Sequence, residues 1–172
     1  MKKVMLVDLN NKKIGEMEKL EAHTRPHLHR AFSVFLISDG KMLIQKRADC
    51  KYHSPGLWAN SCCSHPLSDN LEEEANERMR EELGIEEFVP LKKIFDFVYM
   101  HKFNDNLFEY ELDNVLVGNY SGKVTLNPEE ASEFCWISFE DLAKQLEKEP
   151  EKFSSWFIIC APQVLKYLNS NY

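Results

Sequence analysis

Three histidines, two carboxylates, a cysteine and a few bases are the residues of this chain whose types and spacing can do chemistry. His23, His29 and His65 stand in or beside irregular segments. Neutral imidazole is a common metal ligand, although each of them alone reads as an ordinary surface or core histidine. Glu109-Tyr110-Glu111 lies in a strand-like run. Side chains alternate along a strand, so both carboxylates share one face, roughly 6.5–7 Å apart at the backbone. On an exposed face such a pair is unremarkable; on a covered face it needs a cation or a function. If Phe103 pairs with Leu107 across the intervening turn, Tyr99 falls opposite Glu111, with Cβ atoms about 4.5–5.5 Å apart. Cys62-Cys63-Ser64-His65-Pro66 puts a thiol two residues before a histidine, which suits a metal-associated reactive thiol or, equally, a small buried cysteine. Lys19, Arg47 and Lys51 can face phosphate groups or simply be solvated.

The elements that must position these groups follow from pattern. The 172 residues contain no repeat, low-complexity tract or Gly/Ser linker, so residues 1–172 read as a single domain. A hydrophobic share of 44% argues against disorder. The net charge of −7 argues against a nucleic-acid surface. The apolar run before Asp8 is too short for a signal peptide or membrane span. Five cysteines, an odd number with two adjacent, suit a reduced, cytoplasmic protein. Ala31–Ile37 and Lys41–Arg47, joined by Ser38-Asp39-Gly40, read as a hairpin. Residues 48–68 read as a long functional loop. Leu71–Leu83 reads as a helix capped by Gly84, with Leu71, Ala75, Met79 and Leu83 as its buried stripe. Ile94–Phe103 and Leu107–Val117 read as strands around Asn104-Asp105-Asn106. A capping box at Ser138–Asp141 opens a short helix, and Trp156–Leu168 forms a last apolar helix, bent or delayed by Pro162. The order suggests an α/β (α+β) fold, a mixed β-sheet sandwiched between helices.

The helix ending Arg80-Glu81-Glu82-Leu83-Gly84-Ile85 resembles the tail of the Nudix box, G-x5-E-x7-R-E-U-x-E-E-x-G-U. Where the box has Arg-Glu this chain has Glu77-Arg78, so a cation replaces a hydrolase metal ligand. Taken with Glu18–His23, Leu28–Ser33, Gln45–Ala48, Ser54–Trp58, Asn60–Pro66, Asn127–Glu130 and Ser154–Phe157, the chain resembles type I isopentenyl-diphosphate isomerases from about residue 5 to 160. Asn114 stands where many relatives carry His, a departure with no functional account.

The resemblance implies a Nudix-like fold and a set of roles. Cys63 and Glu111 match the catalytic pair, with Tyr99 supporting Glu111 and Trp156 beside the hydrocarbon. His23, His29, His65, Glu109 and Glu111 match ligands of one metal site, for Mn²⁺, Zn²⁺ or Mg²⁺; Glu82 matches a ligand of a second, diphosphate-bridging Mg²⁺. Lys19, Arg47, Lys51, Arg78 and the Ser64 backbone match the groups around the diphosphate. The partner implied is a small-molecule diphosphate, with no nucleic acid or membrane, bound by a monomer. Moving the double bond requires one proton added and another removed through a carbocation-like state. Glu111 with Tyr99 is the acid and Cys63, as a thiolate, the base, or the two are reversed. A Nudix pyrophosphohydrolase and a non-catalytic metal-binding domain are the rival readings.

Overall fold

The computed structural model describes residues 2–104 and 106–171; Asp105, at the centre of the turn expected at 104–106, lies outside the described residues. The chain runs β1 (Lys3–Val7), β2 (Lys13–Glu18), α1 (Lys19–Thr24), β3 (His29–Ser38), β4 (Lys41–Arg47), β5 (Trp58–Ala59), β6 (Cys62–Ser64), α2 (Leu71–Leu83), β7 (Lys92–Asn104), β8 (Leu107–Asn119), β9 (Ala131–Ser138), α3 (Phe139–Lys148), a 3₁₀ turn (Pro150–Lys152) and α4 (Ser155–Asn171). The described strands form one mixed sheet.

β3 is its organising strand. One edge pairs in parallel with β8 from His29↔Glu111 to Ile37↔Asn119. Its other pairings are taken in turn by β1 at His29, β6 at Phe32–Val34 and β4 at Ile37–Ser38. β4 leaves β3 after the tight turn and runs beside β9 instead. The turn itself is as the sequence suggests: Asp39 and Gly40 both take positive φ, the geometry of a two-residue hairpin loop. The expected loop at 48–68 is not wholly irregular, because its second half supplies β5 and β6, strands too short to show a period.

The sheet is covered on both faces. Phe32, Val34, Leu36, Leu43, Cys62 and Leu116 pack with Ala75, Met79 and Leu83 of α2. Phe35, Ile37, Val115, Val117 and Tyr99 pack with Trp156, Phe157, Cys160 and Val164 of α4. That helix continues through Pro162 rather than stopping there. Alternation explains the adjacent cysteines: Cys62 joins the α2 core and Cys63 turns to the other face.

Candidate active site and metal centre

Three neighbouring strands place His29, Glu111 and Tyr99 in one row, through the register His29↔Glu111 between β3 and β8 and Tyr99↔Glu111 between β7 and β8. The expected Tyr99–Glu111 pairing is therefore present. The premise used to reach it fails only at the tip, where a bulge pairs Asn104, not Phe103, with Leu107.

Around Glu111 the imidazoles are aimed by the backbone. His23, fully buried on α1, has Nδ1 2.7 Å from the Lys19 carbonyl oxygen. His29 Nδ1 lies 2.8 Å from the His27 carbonyl oxygen. A carbonyl only accepts, so each Nδ1 carries a proton, and in a neutral ring Nε2 is then the nitrogen left to bind a metal. Both Nε2 atoms are buried without a hydrogen-bond partner. His65, just beyond β6, lies with Nε2 2.7 Å from Glu111 Oε1, and His29 Nε2 is 3.4 Å from the same oxygen. One donor atom from each of His23, His29, His65 and Glu111 falls within 4.8 Å of the others. Two orphaned, buried imidazole nitrogens facing a carboxylate cost stability unless something fills the space between them, so this group can hold a metal ion.

The second carboxylate is adjacent but separate from that tight group. Glu109 Oε2 lies 3.0 Å from the Tyr99 hydroxyl, whose oxygen is also 2.8 Å from Glu111 Oε2. One phenol proton serves one of these contacts; the other takes a proton held by the carboxylate pair. Burial and the charge of Glu111 push Glu109 well above the usual carboxylate range, which places that proton on Glu109. Burial opposes the charge of Glu111 too, but His65 and His29 hold Glu111 well below that range. Burial, followed by the charge of His29, lowers His23 to about 4. Burial and Lys19 lower His65 to about 3. Both imidazoles are neutral at physiological pH, the form that binds metal.

The remaining expected residues line one cavity of about 390 Å³ together with His65, Tyr99, Glu109 and Glu111. Cys63 reaches it from β6 and Ser64 follows. Burial raises the Cys63 thiol and Arg47 offsets this only in part, which favours the protonated thiol in the protein alone. Trp156 enters from α4 with its indole Nε1–H donating to Asn60 Oδ1 at 2.9 Å. The Arg47 guanidinium sits 5.2 Å from the centre of that indole. Lys19 lies at the mouth, 5.6 Å from the Tyr52 ring centre. On the far wall Glu82, only 3% exposed, accepts from Gln45 Nε2 at 3.0 Å and pairs with Arg78, which also lies 3.5 Å from Glu130. Lys51 pairs with Glu130 as well. Glu82 thus belongs to a separate cluster, away from the His/Glu group and beside the bases.

Sequence reasoning missed His53, Glu130, Gln45 and Asn60. His53 is 7% exposed and its Nε2 lies 3.3 Å from Glu109 Oε1. Its only signal was a place inside the long segment 48–68. Gln45, Asn60 and Glu130 all sat in quoted motifs, Gln45–Ala48, Asn60–Pro66 and Asn127–Glu130, without a role.

Set beside known proteins, residues 27–157 match the model of the NUDIX domain family. Solved structures share the fold: DR0079 from Deinococcus radiodurans has a TM-score of 0.75 at 20% identity, with 94% of this chain and 98% of that one covered. The MutT protein from Methanosarcina mazei Go1 has a TM-score of 0.65 at 18% identity, covering 83% and 95%. The protein is therefore a Nudix-fold domain with a buried His/Glu group drawn from α1, β3, β8 and the residue after β6. Sequence relatives narrow the class. An isopentenyl-diphosphate Delta-isomerase 2 of Aromatoleum aromaticum is 42% identical over 170 residues, with 98% of this chain and 89% of the relative covered. An isopentenyl-diphosphate Delta-isomerase of Aliivibrio fischeri (strain MJ11) is 43% identical, with 96% of each covered. The chain belongs to the isopentenyl-diphosphate Delta-isomerase family of Nudix-fold proteins.

Proposed function

We propose that this chain interconverts isopentenyl and dimethylallyl diphosphate for isoprenoid biosynthesis, as a single-domain, cytoplasmic monomer. The observation that carries the reading is one cavity that His65 and Glu111 of the buried His/Glu group line together with a thiol, an indole face and a cluster of bases. Five free thiols suit a reducing compartment, and no helix among the described residues is long and apolar enough to cross a membrane.

In this reading Lys19, Arg47, Lys51, Arg78 and the Ser64 backbone bind the diphosphate. They exchange internal partners such as Glu130 for phosphate oxygens. The five-carbon tail then lies against Trp156, between Cys63 and Glu111. An alkene is a weak base, so protonation at C4 builds positive charge at the tertiary carbon. The indole face stabilises that charge by about 2 kcal/mol once desolvated. One of Cys63 and Glu111 gives a proton to C4 and the other takes a proton from C2. In the reverse direction the two exchange roles. Tyr99 holds a proton at the Glu109–Glu111 pair and keeps it within reach of the substrate. The cavity walls keep water from trapping the cation.

His23, His29, His65, Glu109 and Glu111 would hold one divalent metal. Mixed nitrogen and oxygen donors favour Mn²⁺ or Zn²⁺, with Mg²⁺ at high supply, and Glu82 would hold a diphosphate-bridging Mg²⁺. Bound there, the metals supply positive charge that neutralises the diphosphate and tunes the carboxylate pair. A hydrolase reading is disfavoured by Arg78, which stands as a cation paired to Glu82 where a Nudix hydrolase needs a carboxylate.

The test is incubation with isopentenyl diphosphate, Mg²⁺ and Mn²⁺ in heavy water, followed by NMR. The expected product is dimethylallyl diphosphate with deuterium in its new methyl group. Cys63→Ala should cut turnover by about 10²–10⁴-fold with the fold retained by circular dichroism. Phosphate release without carbon rearrangement would make the protein a hydrolase, and no turnover after metal loading would leave a binding domain.

A further inference from the structure

The group nearest the proposed chemistry and without a role in it is His53. It lies in the segment between β4 and β5, 7% exposed. Three contacts tie it to separate parts of the cavity. Its backbone carbonyl accepts from Arg47 Nη2 at 3.2 Å. Its ring stands edge-on to Trp156, with centres 6.0 Å apart. Its Nε2 approaches Glu109 Oε1 to 3.3 Å. The opposite oxygen of the same carboxylate, Oε2, faces the Tyr99 hydroxyl at 3.0 Å. Glu109 is therefore flanked on both sides, one oxygen hydrogen-bonded by a phenol and the other approached by an imidazole nitrogen.

We propose that His53 is a positioning residue that, together with Tyr99, sets the orientation in which Glu109 binds metal; the inference rests on the metal-site reading above. A carboxylate on a strand keeps rotational freedom about its terminal bonds. An outer partner on each oxygen removes that freedom before the metal arrives, which is why groups behind a metal ligand affect affinity nearly as much as ligands do. The His53 ring is itself fixed, packed 4.8 Å from Phe103 and 4.6 Å from Tyr52 between ring centres, so it can serve as a rigid stop rather than a mobile one. His23 and His29 need no such help, because backbone carbonyls orient them. Glu109 projects from a strand whose backbone is engaged with β7, and its orientation has to come from side chains.

The experiment is Mn²⁺ titration calorimetry of chelator-stripped protein without substrate, on wild type, His53→Ala, His53→Gln and Glu109→Gln. His53→Ala should weaken Mn²⁺ binding about 10–100-fold, and His53→Gln, which keeps an N–H donor, should restore most of it. A merely structural role would move the urea midpoint but not discriminate between Ala and Gln in metal affinity. If Glu109→Gln weakens binding while His53→Ala stays within twofold of wild type, the role of His53 is overturned. If Glu109→Gln binds as wild type does, the metal-site reading of Glu109 fails first, and the role of His53 falls with it.

Discussion

Cys62 and Cys63 are neighbours of one chemical type with opposite fates, and only strand alternation separates them. Within Asn60–Pro66 the other members divide the work in the same way. Asn60 donates to the Val34 and Cys62 carbonyls while accepting from Trp156. Ser61 bridges β3 and β4 where they part, accepting from Leu36 N–H and donating to the Leu43 carbonyl. Trp156 is thus placed by a hydrogen bond as well as by packing. Trp156→Phe would keep a ring in the core but lose the indole face and leave Asn60 Oδ1 without its partner. We expect kcat to fall about tenfold or more and KM to change less than about threefold, because the face acts on charge that exists only in the transition state. Equal losses in both, by steady-state kinetics, would reject that role. His23, Glu109 and Glu111 stood out by residue type, but only the family resemblance joined them in one site, because type alone does not reveal burial. His53 was silent because a single histidine in a loop has no period and no partner nearby in sequence.

At the scale of elements, α2 shows what local rules can specify. Its bounds were legible from a run of possible N-caps, Ser68-Asp69-Asn70, a four-residue apolar repeat and a terminal glycine; Leu71–Leu83 is the observed helix and Asn70 its cap. Gly84 takes φ +62°, and a Cβ there would meet the Thr125 carbonyl oxygen at 2.9 Å. The helix end is closed further by Thr125 and Asn127, whose N–H groups donate to the Leu83 and Glu82 carbonyls. Gly84→Ala should therefore cost about 2–4 kcal/mol, from left-handed strain plus a clash with backbone. It should also raise the Mg²⁺ concentration needed for half-maximal rate, because Glu82 sits two residues earlier. Urea unfolding at unchanged slope measures the first effect, and a loss under about 1 kcal/mol would show that the segment at 125 yields. Other elements were not legible. β2 is largely polar and half-exposed and is held by β1 alone, while β9 exposes Ser132, Glu133 and Phe134 in succession and is held by the distant β4. The parallel union of β3 with β8 joins segments some eighty residues apart, and no local pattern encodes it.

For the whole molecule, the buried centre links folding to metal. The described fold gathers the unpartnered Nε2 atoms of His23 and His29, the His65 ring and a carboxylate pair at one buried centre. A metal that binds this arrangement but not the unfolded chain stabilises it by about 2.7 kcal/mol at a hundred times its dissociation constant. For a domain of this size that corresponds to a rise in Tm of about 5–11 °C, reversed by a chelator. The pH dependence has a definite sign. His23 at about 4 and His65 at about 3 hold no proton near neutrality, so metal need not displace one from either. Glu109, pushed well above the usual carboxylate range by burial and Glu111, does hold one. Acidification from pH 7.5 to 5.5 should then weaken binding by at most about tenfold per unit, one proton per metal. Imidazoles titrating at their ordinary value of about 6.5 would add a further loss of up to about tenfold per unit for each histidine. Mn²⁺ titration calorimetry across that range distinguishes the two. A loss of no more than about tenfold per unit follows from neutral, buried histidines, and a steeper loss setting in below pH 6.5 would mean that these imidazoles are hydrated and charged like any surface histidine.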